Sequence, residues 1–410
     1  FYYEEVMANG GFGYSSRDNR REQLFKVILQ GASEIKDELN VIFEEVIREK
    51  QTNHDDKHYA LVKTVLTSPT DSFEVARNLP EQVLRLADLF WSYVEPTDLP
   101  PYASRGIGLE EDFGIGADHL EYYPASALQT PLFFLLRNFP METMNFILAF
   151  TNKTTETYAK SDLDGSIEEV DVFLGDKVVK QYISNRLWCM YRGTQTAPDL
   201  LESIHMALEK WLLNYATIVS PQHLASVCRY LISKSTSASI TAVVASVVLA
   251  NPEKLFTIAA ILFQTKQFFF SDTNRWLLDQ SARNHYAIGY GLNAKHKVHE
   301  DERIQTCDDP HRQLSLEHIA FKYQIVRSEE DNDEETERKQ RVLWSIFDKH
   351  YQELPDKANE TEHDKTWQLY LTRMDARKMK AQVEEKDGGV QVTFHPEVDP
   401  ELQAYSETSK

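Results

Sequence analysis

The chain is poor in cysteine: only Cys189, Cys228 and Cys307 occur among its 410 residues. An odd, sparse set without a CxxC pair argues against a disulfide framework and fits a reducing, cytoplasmic compartment. Long apolar runs are missing too. The most apolar stretch, Ile240 to Ala250, falls well short of the ~20 residues that a membrane-spanning helix needs, and Asn251-Pro252 ends it. Near the start, Glu4, Glu5 and Asn9 stand where a secretory leader would require an apolar core. Cations are in deficit as well, with 44 Lys and Arg against 64 Asp and Glu and a formal net charge of -20. That balance opposes general binding to nucleic acid, which depends on cations neutralising phosphates. The longest basic cluster, Arg17, Arg20, Arg21 and Lys26, is diluted by Asp18 and Glu22 and reads as a solvated helix face.

What is present is a globular composition, 42% hydrophobic and 11% aromatic, sufficient to offset the entropy of ordering a large core. The length exceeds one ordinary compact core, so it implies two or three domains or one elongated stack of repeats. Beginning at Phe1 and running straight into Tyr2, Tyr3 and Glu4, the sequence reads as a piece of a larger protein.

Helical periodicity dominates. Between Glu22 and Glu49 the apolar positions Leu24, Val27, Ile28, Ile35, Leu39, Ile42, Phe43 and Val46 recur at helical spacing, with Gly31 as an interruption. A further helix is expected over Tyr59 to Leu66, stopped by Ser68-Pro69. One form of punctuation then recurs: Arg77-Asn78-Leu79-Pro80, Arg137-Asn138-Phe139-Pro140 and Ala250-Asn251-Pro252, each followed by an apolar-periodic segment. Asn ends one helix, and proline, preset in φ and lacking a donor, opens the next where no donor is needed. Such corners suggest antiparallel helices stacked as in HEAT or armadillo arrays, irregular here because the prolines are unevenly spaced. Asn-Pro is also common punctuation in any all-α domain, and either way the class is helical.

The expected organisation is an N-terminal helical region (1–95), a Pro/Gly-rich loop (96–124), and a central helical-repeat core (125–285). A His-rich connector and helix (286–327), an acidic linker (328–340), charged C-terminal helices (341–386) and a mobile tail (387–410) follow. Within the core, helices are expected from Asp199, from Pro221 to Ile232, and over Ser237 to Ala250, the last apolar nearly all round and hence the most buried. Ile167, Val170, Val172 and Leu174 alternate among acids and predict a short hairpin over 162–175. Beyond the core, helices are predicted over Leu314 to Val326, Arg341 to Leu354 and Lys365 to Val383, while Val390, Val392 and Phe394 are compatible with a strand or a loose tail.

No complete catalytic or cofactor site is visible. His54 and His58 stand at i and i+4, but Asp55 follows where a zinc protease needs Glu. His296, His299, Cys307 and His311 form the densest candidate metal-ligand group, because imidazole and thiolate suit zinc, although the paired cysteines of structural sites are absent. A surface loop rich in polar residues is the plainer reading of them. No GxxxxGK[ST] occurs, so the segment builds no Walker-type phosphate cradle by itself. Gly106-Ile107-Gly108 and Gly114-Ile115-Gly116 lack the strand and helix of a dinucleotide loop, Gly10-Gly11-Phe12-Gly13 reads as a turn, and no GxSxG is present. Glu168, Glu169, Asp171, Asp176 and Lys177 lack the sheet that a magnesium-dependent nuclease site requires. Trp188, Tyr191, Trp211 and Tyr215 read as core, with a groove as the alternative.

The run Gln181 to Trp188, continuing through Met190 to Gln195 and Leu200 to Ser203, resembles a helical region of very large bacterial ATP-binding proteins. Phe146 to Asn152, Tyr158 to Ser161 and Ser239 to Val244 add to the likeness, which covers about the middle half of the chain and resembles STAND-type NTPases of the AVAST antiphage class. The resemblance implies that a P-loop NTPase, using ATP, and an effector lie elsewhere in a parent protein. It transfers no functional residue. The expectation is a non-catalytic scaffold or sensor region that binds a protein partner or other domains of its own chain, without cofactor or membrane. The alternative is a metal-dependent enzyme or zinc-stabilised domain organised by the residues at 296–311.

Overall fold

The computed structural model describes residues 17–93, 109–116, 119–287, 290–291, 293, 296–327, 332–386 and 389–408. It is all-α in class: 67% is helix, and among the described residues 19 helices are accompanied by only two small antiparallel hairpins. The first helices are α1 (Arg17–Gln30), α2 (Lys36–Glu49), α3 (Tyr59–Thr67), α4 (Phe73–Asn78) and α5 (Pro80–Trp91). After α6 (Leu109–Asp112) come α7 (Leu132–Asn138) and α8 (Pro140–Lys160). The first hairpin, β1 (Glu168–Phe173) and β2 (Val178–Ile183), precedes α9 (Asn185–Cys189), α10 (Asp199–Tyr215), α11 (Pro221–Lys234), α12 (Ala238–Ala250) and α13 (Phe256–Leu262). The chain continues through α14 (Lys266–Tyr286), α15 (Lys297–Thr306), α16 (Leu316–Ile325), α17 (Asp333–Gln352) and α18 (Glu362–Met374). The second hairpin, β3 (Met379–Lys386) and β4 (Gly389–Pro396), and α19 (Pro400–Thr408) complete it.

The corners explain the array. Leu79 (φ -131, ψ 50), Phe139 (φ -135, ψ 61) and Asn251 (φ -135, ψ 53) share one non-helical backbone conformation, as the residue before proline must, because its helical region clashes with the ring. At each, the amide still donates to the carbonyl four residues back: Val75 (2.8 Å), Leu135 (2.7 Å) and Val247 (3.0 Å). The Asn side chain seals the helix end, with Nδ2 of Asn78, Asn138 and Asn251 donating to the carbonyls of Glu74, Phe134 and Val247. Pro80 and Pro140 then open α5 and α8 directly. The third corner departs from expectation. Asn251 O accepts from the Lys254 amide in a tight turn, so α13 starts only at Phe256.

Packing runs from element to neighbouring element: α2 on α5, α4 on α7, α7 on α8 and α10, α10 on α12, α9 on α14, and α16 on α17 and α18. One hydrophobic cluster continues from Phe25 to Met374, so the helices form a single connected core. At its centre α12 buries every residue from Ala238 to Leu249. Its Ile240, Val243, Val244, Val247, Val248 and Leu249 contribute about 1.5–3 kcal/mol each through removal from water.

Several segments differ from the sequence reading. The hairpin lies at 168–183, later than the predicted 162–175, since Gly175 takes positive φ (81) in the turn and β2 uses residues that read as helical. Val170, Val172, Gln181 and Ile183 face inward, and the Tyr182 amide donates to Thr236 O at 2.8 Å, which ties the hairpin to the entry of α12. Part of the expected loop at 96–124 is folded. Phe113 stacks on Tyr158 at 4.1 Å, Tyr93 donates to Gly114 O and Gly116 donates to Trp91 O, while 94–108 and 117–118 lie outside the described residues. In the acidic segment, 328–331 lie outside the described residues. From Asp333 onward it is helix, because Asn332 caps the Glu335 amide and Asp333, Glu334 and Glu335 complement the helix dipole. The helix predicted over Lys365 to Val383 stops at Met374, and the chain turns into β3, whose partner β4 is drawn from the expected mobile tail.

Candidate functional site

The ionisable residues that converge do so inside the array, at positions that sequence reasoning did not select. Helix α14 carries Asp272, Arg275 and Asp279 on one face, at i, i+3 and i+7, and this face is buried. Arg275 donates to both oxygens of Asp272 (3.0 and 3.1 Å) and to Asp279 Oδ2 at 3.0 Å. It also caps the carbonyls of Arg312 and Leu314. Arg192, at the end of the short helical segment after α9, donates to Asp279 Oδ1 at 2.7 Å. Arg312, in the turn Pro310–Gln313, grips Glu209 of α10 with two parallel bonds of 2.6 and 2.9 Å and reaches Ser246 of α12. Arg303 of α15 donates to Arg192 O and to the Tyr286 hydroxyl. Together these residues join the segment after α9 to α10, α12, α14 and α15, and the charged side chains among them are nearly or wholly inaccessible to solvent.

Such charges are tolerable in a dry interior only when mutually satisfied. Burial pushes the Glu209 carboxyl upward, but the charge and hydrogen bonds of Arg312 outweigh it and hold the pKa at about 2. Burial likewise opposes the Asp279 carboxylate, and Arg192, Arg275 and Arg312 pull it below the ordinary range. Glu209 and Asp279 are thus held as the charged members of fixed ion pairs. Glu202 is different: burial, with Asp199 beside it, raises its carboxyl well above the usual value. Its Oε2 lies 2.7 Å from where a Cβ on Gly193 (φ +63) would fall, so Gly193 is needed both for the turn and for room.

The residues singled out in the sequence are dispersed. His299 Nδ1 meets Ser126 Oγ at 2.7 Å, His296 packs on Tyr123 and meets Asn293, Cys307 lies 3.9 Å from Arg192 Nη2, and the buried His311 sits 3.3 Å from Ser246. Among the described residues no three His, Cys, Asp or Glu are placed to hold a metal ion. Burial, followed by the charge of Arg312, lowers the His311 pKa to about 3, which keeps the ring neutral. His54 is exposed and His58 buried, so the two do not share an open face. Cys189 and Cys228 are buried with thiols pushed up to about 12, hence unreactive.

Trp188 and Tyr191 are fully buried, and Trp211 stacks on Tyr215 at 4.8 Å, so this quartet belongs to the core and its edge. Gly114-Ile115-Gly116 serves a close backbone crossing: a Cβ on Gly116 would fall 2.8 Å from Ser92 O. Glu168, Glu169 and Asp171 are exposed on β1, where Lys180 answers Glu169 and Asp171 from β2. Lys26 faces Asp71 at 3.7 Å, whereas the side chains of Arg17, Arg20 and Arg21, and all of Gly10 to Gly13 and Gly106 to Gly108, lie outside the described residues.

An open concavity among the described residues lies elsewhere, between the helices that follow the first two corners. A groove of about 920 Å3 runs along α5 and α8, with Ile47 of α2 at one side. Leu84, Leu89, Phe139, Phe146, Ala149 and Phe150 line it, and Trp91 supports Phe146 and Phe150 from beneath at 5.9 and 5.8 Å. Glu81, Asp88 and Glu142 stand exposed at its rim. Arg85, also at the rim, is held by both oxygens of Glu44, and Lys153 donates to Ser92 Oγ at 2.9 Å. Leu89 and Phe146 belong to the apolar-periodic segments that follow the first two corners, and only the spacing of α5 from α8 reveals them as a lining. No protein-family model and no curated protein matches the chain.

Proposed function

We propose that the chain is a non-catalytic helical scaffold that binds protein, serving as an interaction or sensor region of a larger NTPase of the antiphage STAND type. One contrast carries the reading: the buried charges of Arg192, Arg275, Arg312, Asp272, Asp279 and Glu209 are matched with one another within the packing, whereas the open groove between α5 and α8 is apolar with a charged rim. Catalysis requires groups that converge on solvent-accessible space and are poised to change state. Protein recognition requires apolar surface framed by charge. The absence of a GxxxxGK[ST] run in this sequence is compatible with nucleotide chemistry residing in another part of the parent. No helix among the described residues is long and apolar enough to cross a membrane.

Elemental analysis of the purified protein separates this reading from a zinc-organised domain. The expected result is substoichiometric zinc, unchanged in a variant carrying Cys307→Ala and His311→Ala. One zinc per chain, lost in that variant, would overturn the scaffold assignment. The reading frame of the parent is expected to encode a P-loop outside these residues.

A further inference from the structure

The groove between α5 and α8 has an internal counterpart that is already filled. At the third corner, the outward face of α13 is covered by α17, which buries Lys339, Leu343, Phe347 and His350 at intervals of four, four and three residues. Its cations lie on the aromatic surface of the corner helix, Arg338 and Lys339 at 5.8 and 5.6 Å from the Phe256 ring. Glu253, which follows the corner proline, is engaged by Lys322 at 3.2 Å. The molecule thus shows how a helix that follows an Asn-Pro corner is covered: by an amphipathic helix that lays Arg338 and Lys339 on the corner helix's aromatic ring, while the acid after the proline takes an ammonium from α16.

Toward the groove, the helices after the first two corners present similar elements without such a cover among the described residues. Glu81 follows Pro80 as Glu253 follows Pro252, and Glu142 stands two residues after Pro140. Neither Glu81 nor Glu142 has an ion-pair partner among the described residues. With Asp88 they set three carboxylates against the single ammonium of Lys153, because Arg85 is already neutralised by Glu44. At 1.5 Å per residue the lining from Phe139 to Lys153 spans about 20 Å, and that from Pro80 to Leu89 about 14 Å, so the groove accommodates roughly three helical turns.

Resting on the scaffold reading, we infer that this groove receives one amphipathic helix of a protein partner, with apolar anchors at i, i+4 and i+7 and lysine or arginine at its flanks. The anchors lie on Leu89, Phe139, Phe146 and Ala149, and the flanking cations meet Glu81, Glu142 and Asp88. Apolar contact supplies the affinity, and the rim charges fix partner choice and orientation.

The test uses the whole chain and two stapled, fluorescent helical peptides of about 14 residues. They share leucines at i, i+4 and i+7 and differ only in lysine or glutamate flanks. Fluorescence anisotropy is expected to show binding of the lysine-flanked peptide at least about tenfold tighter than its counterpart. Combining Glu81→Lys with Glu142→Lys, both at exposed positions, should invert that preference without loss of fold. Ala149→Trp, which fills the groove, should weaken both peptides. Equal binding of the two peptides, no binding of either, or insensitivity to Ala149→Trp overturns the inference. So does light scattering that shows a dimer whose groove residues become labelled only on dissociation, since a second copy would then be the occupant. None of these outcomes bears on zinc content, so failure here is distinguishable from failure of the scaffold reading.

Discussion

Replacing Glu209 by glutamine removes one side of a doubly hydrogen-bonded ion pair that is closed to solvent on both sides, with side-chain exposures of 2% for Arg312 and 3% for Glu209. Two independent routes give the size of the loss. Breaking a buried pair and stranding its partner costs about 3–5 kcal/mol, because the remaining guanidinium keeps its desolvation penalty without its counter-charge. The carboxyl itself has moved from 4.5 to about 2 on folding, which by linkage is worth about 3 kcal/mol. A depressed carboxyl contributes its full stability above the unfolded value and loses it as pH falls through the folded one. The window for this group therefore runs from 4.5 down to about 2, and Glu209→Gln should abolish that part of the acid sensitivity. The double replacement Glu209→Met with Arg312→Met should recover most of the loss, since apolar side chains of similar size incur no ionic desolvation. Urea unfolding followed by helical circular dichroism at pH 7 measures all three proteins. A single variant that loses less than about 1 kcal/mol, or a double variant as unstable as the single, would refute the idea that this pair closes the interior.

Three further outcomes are expected. His205 is fully buried, with Nδ1 at 2.7 Å from Leu201 O and Nε2 at 2.8 Å from Ser239 Oγ, and burial lowers its pKa from 6.5 to about 4. Its stabilisation is complete above pH 6.5 and lost toward pH 4, so His205→Gln should lose about 3 kcal/mol less than the parent protein when unfolding is compared at pH 7 and pH 4. Asn138→Ala deletes the seal on the Phe134 carbonyl and should cost about 0.5–1.5 kcal/mol in the same urea assay. Gly116→Ala should cost about 1–3 kcal/mol, because the new methyl group meets Ser92 O at 2.8 Å, and hydrogen exchange should show faster opening at the Gly116 amide.

Most helices were legible because their signals are local. The corner at Asn138-Phe139-Pro140 is written in consecutive residues, and the burial of α12 follows from an unbroken run of small and apolar side chains. The hairpin boundary differs because Val179, Tyr182 and Ile183 run with little interruption toward the helical residues Leu187 and Trp188, and the one local sign of a boundary is Ser184, which caps the Leu187 amide. The second hairpin was partly missed because a charged strand such as Lys380 to Lys386 has too little apolar alternation to outweigh its helix-forming residues. The buried ion network was invisible for a different reason. Arg192, Glu209, Asp272, Asp279 and Arg312 each look like solvated surface residues until helices distant in sequence bring them together. One clue was present: Asp272, Arg275 and Asp279 share a helical face bounded by Phe268, Phe269 and Ala282. The groove depends on how far apart two similar helices stand, a quantity that no single segment encodes.

Carboxyl footprinting by carbodiimide coupling and mass spectrometry tests most directly whether charge is closed inside and the binding face is open. Glu81, Asp88 and Glu142, exposed at the groove rim, should be labelled rapidly in the native protein, while Glu209, Asp272 and Asp279 stay unlabelled until it unfolds. Labelling of Glu209 or Asp279 at the rate of Glu81 would contradict the account, because it would place those carboxylates in an accessible, chemically available site.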